Sequence, residues 1–228
     1  LTVLGADVAE PTSKDLAIAG EVIDSLACGE GPAVVPDVIS APNILRAMWP
    51  RLWATARASL SLRTLFGTES LDSVSASSIV VVPSELKPRW HAHRLVETIT
   101  GSGGPAARWF AGEGSRRLAQ IVGENFDRLP GDYAVLQRIA RVAERLDKLE
   151  LGKGTPGDAL VVVRTQEAFS SGLLLSSEDV TILHQALTHL DLASVEEIRA
   201  ASLARLDLFS DKKAIEAALE KWVAKNLA

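Results

Sequence analysis

The chain of 228 residues has a net charge of −5, one cysteine and 47% apolar residues. This composition excludes extensive disorder and an internal disulfide, and it argues against nucleic-acid binding, which requires clustered Lys and Arg side chains. No apolar run approaches the ~18–20 residues that a membrane helix needs, so no membrane association is expected. A single cysteine suits a reducing compartment, and a cytoplasmic location is therefore expected.

Helical patterns dominate the first third of the chain. Ser13 and Asp15 can cap a first helix, and the glycines after Cys28 predict its end. Pro42 fits the first position of a second helix, in which Pro50 is expected to cause a kink or a break. A polar, serine-rich stretch follows and predicts a loop.

Two short apolar segments, Ile79–Val82 and Ala159–Val163, favour strands, and the remaining patterns favour helices. The sequence therefore predicts a mainly α fold, a multi-helix bundle with at most one short two-stranded element. The glycine-rich break at Leu151–Gly157 predicts a helical domain over residues 1–150 and a C-terminal three-helix subdomain over residues 151–228. Within that subdomain, Ser194 and Glu197 have the spacing of a helix-capping box.

An internal repeat is predicted at an offset of 73 residues, pairing about 13–66 with about 88–139. Gly31–Ala33 matches Gly104–Ala106 without a gap. The apolar stripes that follow also match, Leu45, Met48 and Trp53 with Leu118, Ile121 and Phe126. A true repeat would place two similar helical units about a pseudo-twofold axis. The alternative is chance similarity, because any two amphipathic helix pairs share apolar spacing.

Parts of both halves resemble a known family. Val35–Pro36 and the Pro-x-x-Leu-x-x-x-Trp pattern of Pro42–Trp49 are similar to a helix–turn–helix unit of the group I haloacid dehalogenases, all-helical relatives of the alkylhydroperoxidase fold. Gly104–Ala106 before Leu118–Val122 is similar to the second unit of that family. The resemblance implies a helical scaffold. It does not imply dehalogenation, because Ala107–Phe110 stands where the family has its water-activating Asp.

Side chains that commonly carry chemistry are sparse. Cys28 has no second cysteine to resolve an oxidised thiol, so it is predicted to be a plain small residue at a helix end and no thiol peroxidase activity is expected. The histidines lack the i, i+4 spacing of a helical zinc site, and neither metal nor cofactor is expected. These histidines are His91, His93, His184 and His189.

Four residues of the predicted repeat are candidates for binding a small organic ligand: Trp49, Trp53, Arg108 and Trp109. The rings could line a pocket and the guanidinium could pair with a carboxylate. Core packing is the alternative for the tryptophans. No catalytic motif is recognisable, and whether the chain is an enzyme stays open.

Two classes of function therefore remain. The first is an interaction or assembly module, in which helices within 177–227 dock onto a protein partner or a second copy. The second is a small-molecule-binding protein or enzyme on a degenerate haloacid-dehalogenase-like scaffold. An enclosed pocket near Trp53 and Trp109 would favour the second class.

Overall fold

A computed structural model describes most of the chain: residues 10–29, 31–66, 77–90, 93, 95–96, 104–110, 112, 114–167, 169, 172–199 and 212–226. The fold is mainly helical with one small parallel sheet, which confirms the predicted class. The residues group into two compact units. Unit 1 contains residues up to 114 and 126–137, and unit 2 contains 115–125 and residues from 138 onward. The predicted domain boundary near residue 150 stays a prediction.

The strands of unit 1 and its first four helices precede residue 111 in the sequence. Its strands are β1 (Ala33–Val35), β2 (Leu62–Thr64) and β3 (Ile79–Val81). Its helices are α1 (Ser13–Cys28), α2 (Ala41–Met48), α3 (Ala54–Ser59) and α4 (Pro105–Phe110). Short 3₁₀ segments cover Trp49–Arg51 and Ser84–Trp90.

The helices that follow contribute mainly to unit 2. They are α5 (Arg116–Asn125), α6 (Ala134–Glu150), α7 (Pro156–Glu167), α8 (Ser177–Leu187), α9 (Val195–Arg199) and α10 (Lys212–Asn226). The first turn of α6 belongs to unit 1. Helices α8, α9 and α10 lie where the three C-terminal helices are predicted.

Helix α1 is the central element of unit 1. It is capped by Thr12 and not by the predicted Ser13: the Asp15 amide donates to Thr12 Oγ1 at 3.2 Å, and the Thr12 amide donates to Asp15 Oδ2 at 2.8 Å. Helix α4 packs closely against α1 at Gly20, where a Cβ would lie 2.6 Å from the Ala107 carbonyl oxygen. A glycine at position 20 therefore permits this close approach.

Side-chain hydrogen bonds attach residues 129–133 to α3, which explains why this segment belongs to unit 1. Trp53 Nε1 donates to the Pro130 carbonyl at 2.6 Å, and Thr55 Oγ1 donates to the Leu129 carbonyl at 2.6 Å. The Tyr133 hydroxyl donates to the Ala56 carbonyl at 2.8 Å. The segment is thus held by specific polar contacts as well as by burial of the Trp53 ring.

All three strands of the sheet are parallel, in the order β1-β3-β2. The connection from β1 to β2 runs through α2 and α3, as parallel pairing requires a long crossover. Strands β1 and β3 are buried and β2 is exposed. A small apolar cluster packs around the sheet and contains Val34, Leu65, Val80, Val82 and Trp90.

The strand predictions need two corrections. Ile79–Val82 does form a strand, β3, but its partners are β1 and β2, so the sheet has three strands and not two. Ala159–Val163 is helical and lies within α7. Most of this segment is buried in the helix, and a short, fully buried apolar run has no periodicity that separates helix from strand.

Unit 2 contains several polar contacts that join distant parts of the sequence. Asn125 Nδ2 donates to the Leu174 carbonyl at 3.0 Å, and the Leu174 amide donates to Asn125 Oδ1 at 2.7 Å. Trp222 Nε1 donates to the Ala193 carbonyl at 2.8 Å, which attaches α10 to the segment before α9. These bonds satisfy polar groups that are removed from water.

The predicted repeat gains no support from the local structure. At the offset of 73 residues, strand β1 is paired with residues 106–108, which lie in helix α4. Trp53 is fully buried, as the repeat requires, but Phe126 is only half-buried in a 3₁₀ turn. Residues 88–139 also contribute to both units. The repeat stays a prediction.

Candidate ligand site at the carboxyl edge of the sheet

The three segments that leave the parallel strands meet at one edge of the sheet. Strand β1 continues into Pro36–Ser40 and then α2, β2 continues into Leu65 and Phe66, and β3 continues into Val82 and Pro83 before the 3₁₀ segment. Because the strands are parallel, their carboxyl ends share this edge. Open parallel sheets characteristically bind ligands there.

A cleft of about 480 Å³ lies at this edge and is called the main cleft. Its lining comes from the segments after all three strands: Pro36–Ile39, Phe66 and Pro83–Glu85. Most of these residues are apolar, and Asp37, Ser84 and Glu85 contribute the polar side chains. This size and mixture of residues are typical of small-molecule sites.

A second cleft of about 250 Å³ adjoins the first and is called the lysine cleft. It shares Pro36, Asp37 and Ser84 with the main cleft, and its lining also includes Lys14 and Lys87. The two clefts therefore differ in charge, with carboxylates along the main cleft and both charge signs along the lysine cleft.

Asp37 is shared by the two clefts and is held by the loop between β1 and α2. Its Oδ1 accepts hydrogen bonds from the Ile39 amide at 2.9 Å and the Ser40 amide at 3.0 Å, and its Oδ2 accepts from Ser40 Oγ at 2.6 Å. The Ser40 hydroxyl is the largest cause of a pKa below the ordinary value for aspartate, with the backbone donors and Lys14 adding to it. Asp37 is therefore an oriented anion at neutral pH.

Two large apolar side chains of the main cleft are open to solvent. Ile39 is 90% exposed and Phe66 is 72% exposed. Single exposed apolar residues are common, but these two line the same cleft. They could therefore cover an apolar part of a bound molecule.

Two of the predicted site residues, Trp49 and Trp53, have different environments. The Trp49 ring is half-exposed, and the Arg57 guanidinium lies 5.8 Å from its centroid. Trp53 is fully buried, with its Nε1 bonded to Pro130 and its ring 6.2 Å from that of Tyr133. Trp53 thus packs in the core, as the alternative interpretation holds.

The other two predicted site residues lie on α4. Arg108 is exposed, and the partly buried Trp109 ring contacts Phe110 edge-on with 5.0 Å between the centroids. Neither belongs to the lining of the main cleft or of the lysine cleft. The ligand-binding role predicted for these four residues stays untested.

Among the described residues, Cys28 and the histidines are not arranged to bind a metal. Cys28 is exposed, with Gln137 Nε2 at 3.6 Å from its Sγ. His91 lies outside the described residues, and His93 packs its ring against Trp90 at 5.4 Å. Within the described ranges, no group of three His, Cys, Asp or Glu side chains is arranged to hold a metal ion.

The main cleft is absent from the sequence predictions, although a signal for it exists. Val34-Val35-Pro36-Asp37 and Val81-Val82-Pro83-Ser84 share one pattern, an apolar strand end followed by proline and a polar residue. Proline ends a strand because it has no amide to donate. Two such ends predict two loops, but only the parallel pairing places them beside each other.

No family model, curated protein or solved structure matches the chain. The resemblance to the haloacid dehalogenases therefore stays a prediction. Among the described residues, no helix has both the length and the apolar character required to span a membrane. The geometry of the clefts is thus the basis for proposing a function.

Proposed function

We propose that unit 1 is a small-molecule-binding module whose site is the main cleft. The observation that carries this proposal is the lining of the cleft by the segments that follow all three parallel strands. Its volume of about 480 Å³ falls within the range of small-ligand pockets.

The composition of the cleft supports binding of an organic molecule. Pro36, Val38 and Pro83 supply apolar wall, and the exposed Phe66 supplies an aromatic ring. The oriented Asp37 carboxylate supplies a fixed polar contact. Because the loop already holds this side chain in place, a ligand does not have to immobilise it, which lowers the entropy cost of binding.

Blocking the cleft tests the proposal. Ser84 is an exposed residue of its lining, and Ser84→Phe would fill the space between the loops. A library of small organic compounds is screened against the full chain by ¹H–¹⁵N correlation spectra. We expect hits that shift the amides of residues 37–39 and 84–85 and that lose binding in Ser84→Phe.

The matched control is Ser177→Phe, at an exposed serine at the start of α8. It adds the same ring in unit 2 and should leave these hits unchanged. A screen in which no compound shifts the cleft amides, or in which Ser84→Phe binds as well as the unaltered chain, would contradict the proposal.

An interaction or assembly module is the second candidate, favoured by apolar exposure in unit 2. Leu192 is 69% exposed, and Val223 is exposed on α10. The Trp222–Ala193 hydrogen bond joins the segments that carry them, so these side chains belong to elements that pack together. A protein partner or a second copy could cover them.

Sedimentation of the full chain over a range of concentrations tests this second candidate for self-association. A dimer that dissociates in Leu192→Asp but persists in Ile39→Asp would favour assembly through unit 2. A monomer at every concentration would remove the second copy as an occupant and leave a different protein as the partner of this candidate.

A further inference from the structure

We infer that the main cleft binds an organic cation, specifically a protonated amine attached to an apolar or aromatic body. This inference rests on the proposed function and names the chemical class of its ligand. It depends on the charge of the lining, the acceptor position that Asp37 retains, and the apolar walls.

The charge of the lining is the first argument. The charged residues that line the main cleft, within the part of the chain that the structure describes, are Asp37 and Glu85. Both are acidic, and they follow different strands. The lysines at this edge line the adjoining cleft instead. An anionic ligand in the main cleft would face two carboxylates, whereas an ammonium group would be attracted to both.

The second argument is the hydrogen-bonding capacity of Asp37. An ionised carboxylate has about four acceptor positions. The Ile39 amide and the Ser40 amide occupy two of these positions on Oδ1, and the Ser40 hydroxyl occupies one on Oδ2. With respect to the described residues, one position on Oδ2 therefore remains for a donor. An ammonium group carries donors without acceptors.

The third argument concerns the body of the ligand. Apolar wall from Val38, Ile39 and Pro83 lies beside the carboxylates, and the Phe66 ring lines the same cleft. An aromatic face attracts a nearby cation. A bare metal ion would gain nothing from these walls and prefers six or more oxygen ligands. An amine with an apolar body uses both parts of the lining.

A matched series of probes tests the inference. Benzylamine, benzyl alcohol and benzoate share an aromatic ring and differ in charge. Each is titrated into the full, ¹⁵N-labelled chain at neutral pH while the amides of residues 37–39 and 84–85 are followed. A hydrogen bond to a charged group raises a binding constant by about tenfold more than a neutral hydrogen bond does. We therefore expect benzylamine to bind at least about tenfold more tightly than benzyl alcohol.

Two variants locate the charge that is responsible. Asp37→Asn keeps acceptors for the loop amides and removes the charge, and Glu85→Gln alters an exposed side chain. Each should weaken benzylamine binding by about tenfold and leave benzyl alcohol unchanged. Asp132→Asn is the control, since Asp132 Oδ1 also accepts from an amide two residues ahead, at 2.9 Å. It should change neither probe.

The outcomes separate the inference from the proposed function. Benzyl alcohol or benzoate binding in the cleft as tightly as benzylamine would overturn the inference and leave the proposed function standing. The same amide shifts with calcium chloride alone would replace the amine with a metal ion. If none of the probes shifts the cleft amides, the inference is wrong, and the library screen decides the proposed function separately. If Asp37→Asn does not fold, equal benzylamine binding by Glu85→Gln and the unaltered chain overturns the inference.

Discussion

Asp37 in unit 1 and Asp158 in unit 2 are both buried or half-buried aspartates near the start of a helix, but their carboxylates have different partners. Asp158 accepts from the Thr155 amide at 2.8 Å and forms an ion pair with Arg145 from another helix. The donors to Asp37 are its sequence neighbours Ile39 and Ser40. Asp158 therefore connects helices, whereas Asp37 presents charge to a cleft.

The same contrast extends to the surroundings of Asp158. Glu197 accepts from the Ser194 amide at 2.7 Å and from Thr155 Oγ1 at 2.8 Å, so two helix caps share their side chains. A cleft of about 290 Å³ is lined by Arg145, Asp158 and Glu197 among others. Its carboxylates already serve the fold. The two clefts therefore differ in charge: the lining of this cleft already contains a cation, Arg145, whereas the described charged residues that line the main cleft, Asp37 and Glu85, are both acidic.

The largest expected effect tests whether unit 2 depends on its ion pairs. Arg117 Nε lies 2.9 Å from Asp179 Oδ1, and the Asp179 side chain is only 3% exposed. Arg117→Ala would leave this carboxylate buried without its cation, so we expect a loss of about 3–5 kcal/mol in the free energy of unfolding by urea. Arg108→Ala, at an exposed arginine, is the control. Equal losses in the two variants would contradict a stabilising role for the buried Arg117–Asp179 ion pair.

Trp53→Ala tests the core position of the Trp53 ring in unit 1. The substitution removes a fully buried ring and its bond to Pro130, with an expected loss of about 3–4 kcal/mol in the free energy of unfolding. Trp49→Ala, at a half-exposed ring, should cost clearly less. Urea denaturation measures both. If Trp49→Ala were the more damaging change, the core position of Trp53 would be wrong.

The third test is the pH dependence of the stability that Asp158 gives to unit 2. Burial opposes ionisation of Asp158, but the Thr155 amide and Arg145 outweigh it and hold its pKa below the ordinary value. This stabilisation is complete above the ordinary aspartate pKa of about 3.9 and is lost as the pH falls through the lower pKa of the folded chain. Asp158→Asn should cost about 1 kcal/mol at pH 7, the difference between a hydrogen bond to a charged group and a neutral one.

That difference between the unaltered chain and Asp158→Asn should shrink once the pH falls below about 3.9. Thermal unfolding from neutral to acidic pH measures it. A difference that grew on acidification would contradict the assigned sign of the pKa shift.

The smallest expected effect belongs to Asp37→Asn. Asparagine is as good as aspartate at accepting from a loop amide, so the free energy of unfolding should change by about 0.5 kcal/mol or less. Chemical denaturation beside Asp158→Asn makes the comparison direct. A loss of unfolding free energy larger than that of Asp158→Asn would show that Asp37 stabilises the fold. It would contradict the difference proposed between Asp37 and Asp158.

Strong local signals made parts of the fold predictable. The Ser194–Glu197 capping box is confirmed, with the Ser194 amide donating to Glu197 Oε2 and the Glu197 amide donating to Ser194 Oγ. Strand β3 is confirmed as well. In contrast, β1 and β2 are not predicted, because neither has a four-residue apolar run such as Ile79–Val82: β1 is followed at once by Pro36, and β2 contains the polar residues Arg63 and Thr64.

The candidate site was harder to predict than the fold. Its lining is separated in sequence, from Pro36 through Phe66 to Glu85, and it becomes one cleft only through the β1-β3-β2 strand order. Tryptophans were predicted to line the site because aromatic rings commonly line pockets. The Trp53 ring is instead fully buried in the core. Local patterns carry no information about which strand ends become neighbours.

Intermolecular nuclear Overhauser effects between benzylamine and the full chain test the central claim most directly. The account predicts transfer from the benzylamine ring to the methyl groups of Val38 and Ile39 and to the Phe66 ring, with these signals lost in Ser84→Phe. Transfer confined to Leu160 and Val161, which line the cleft of unit 2, would contradict it.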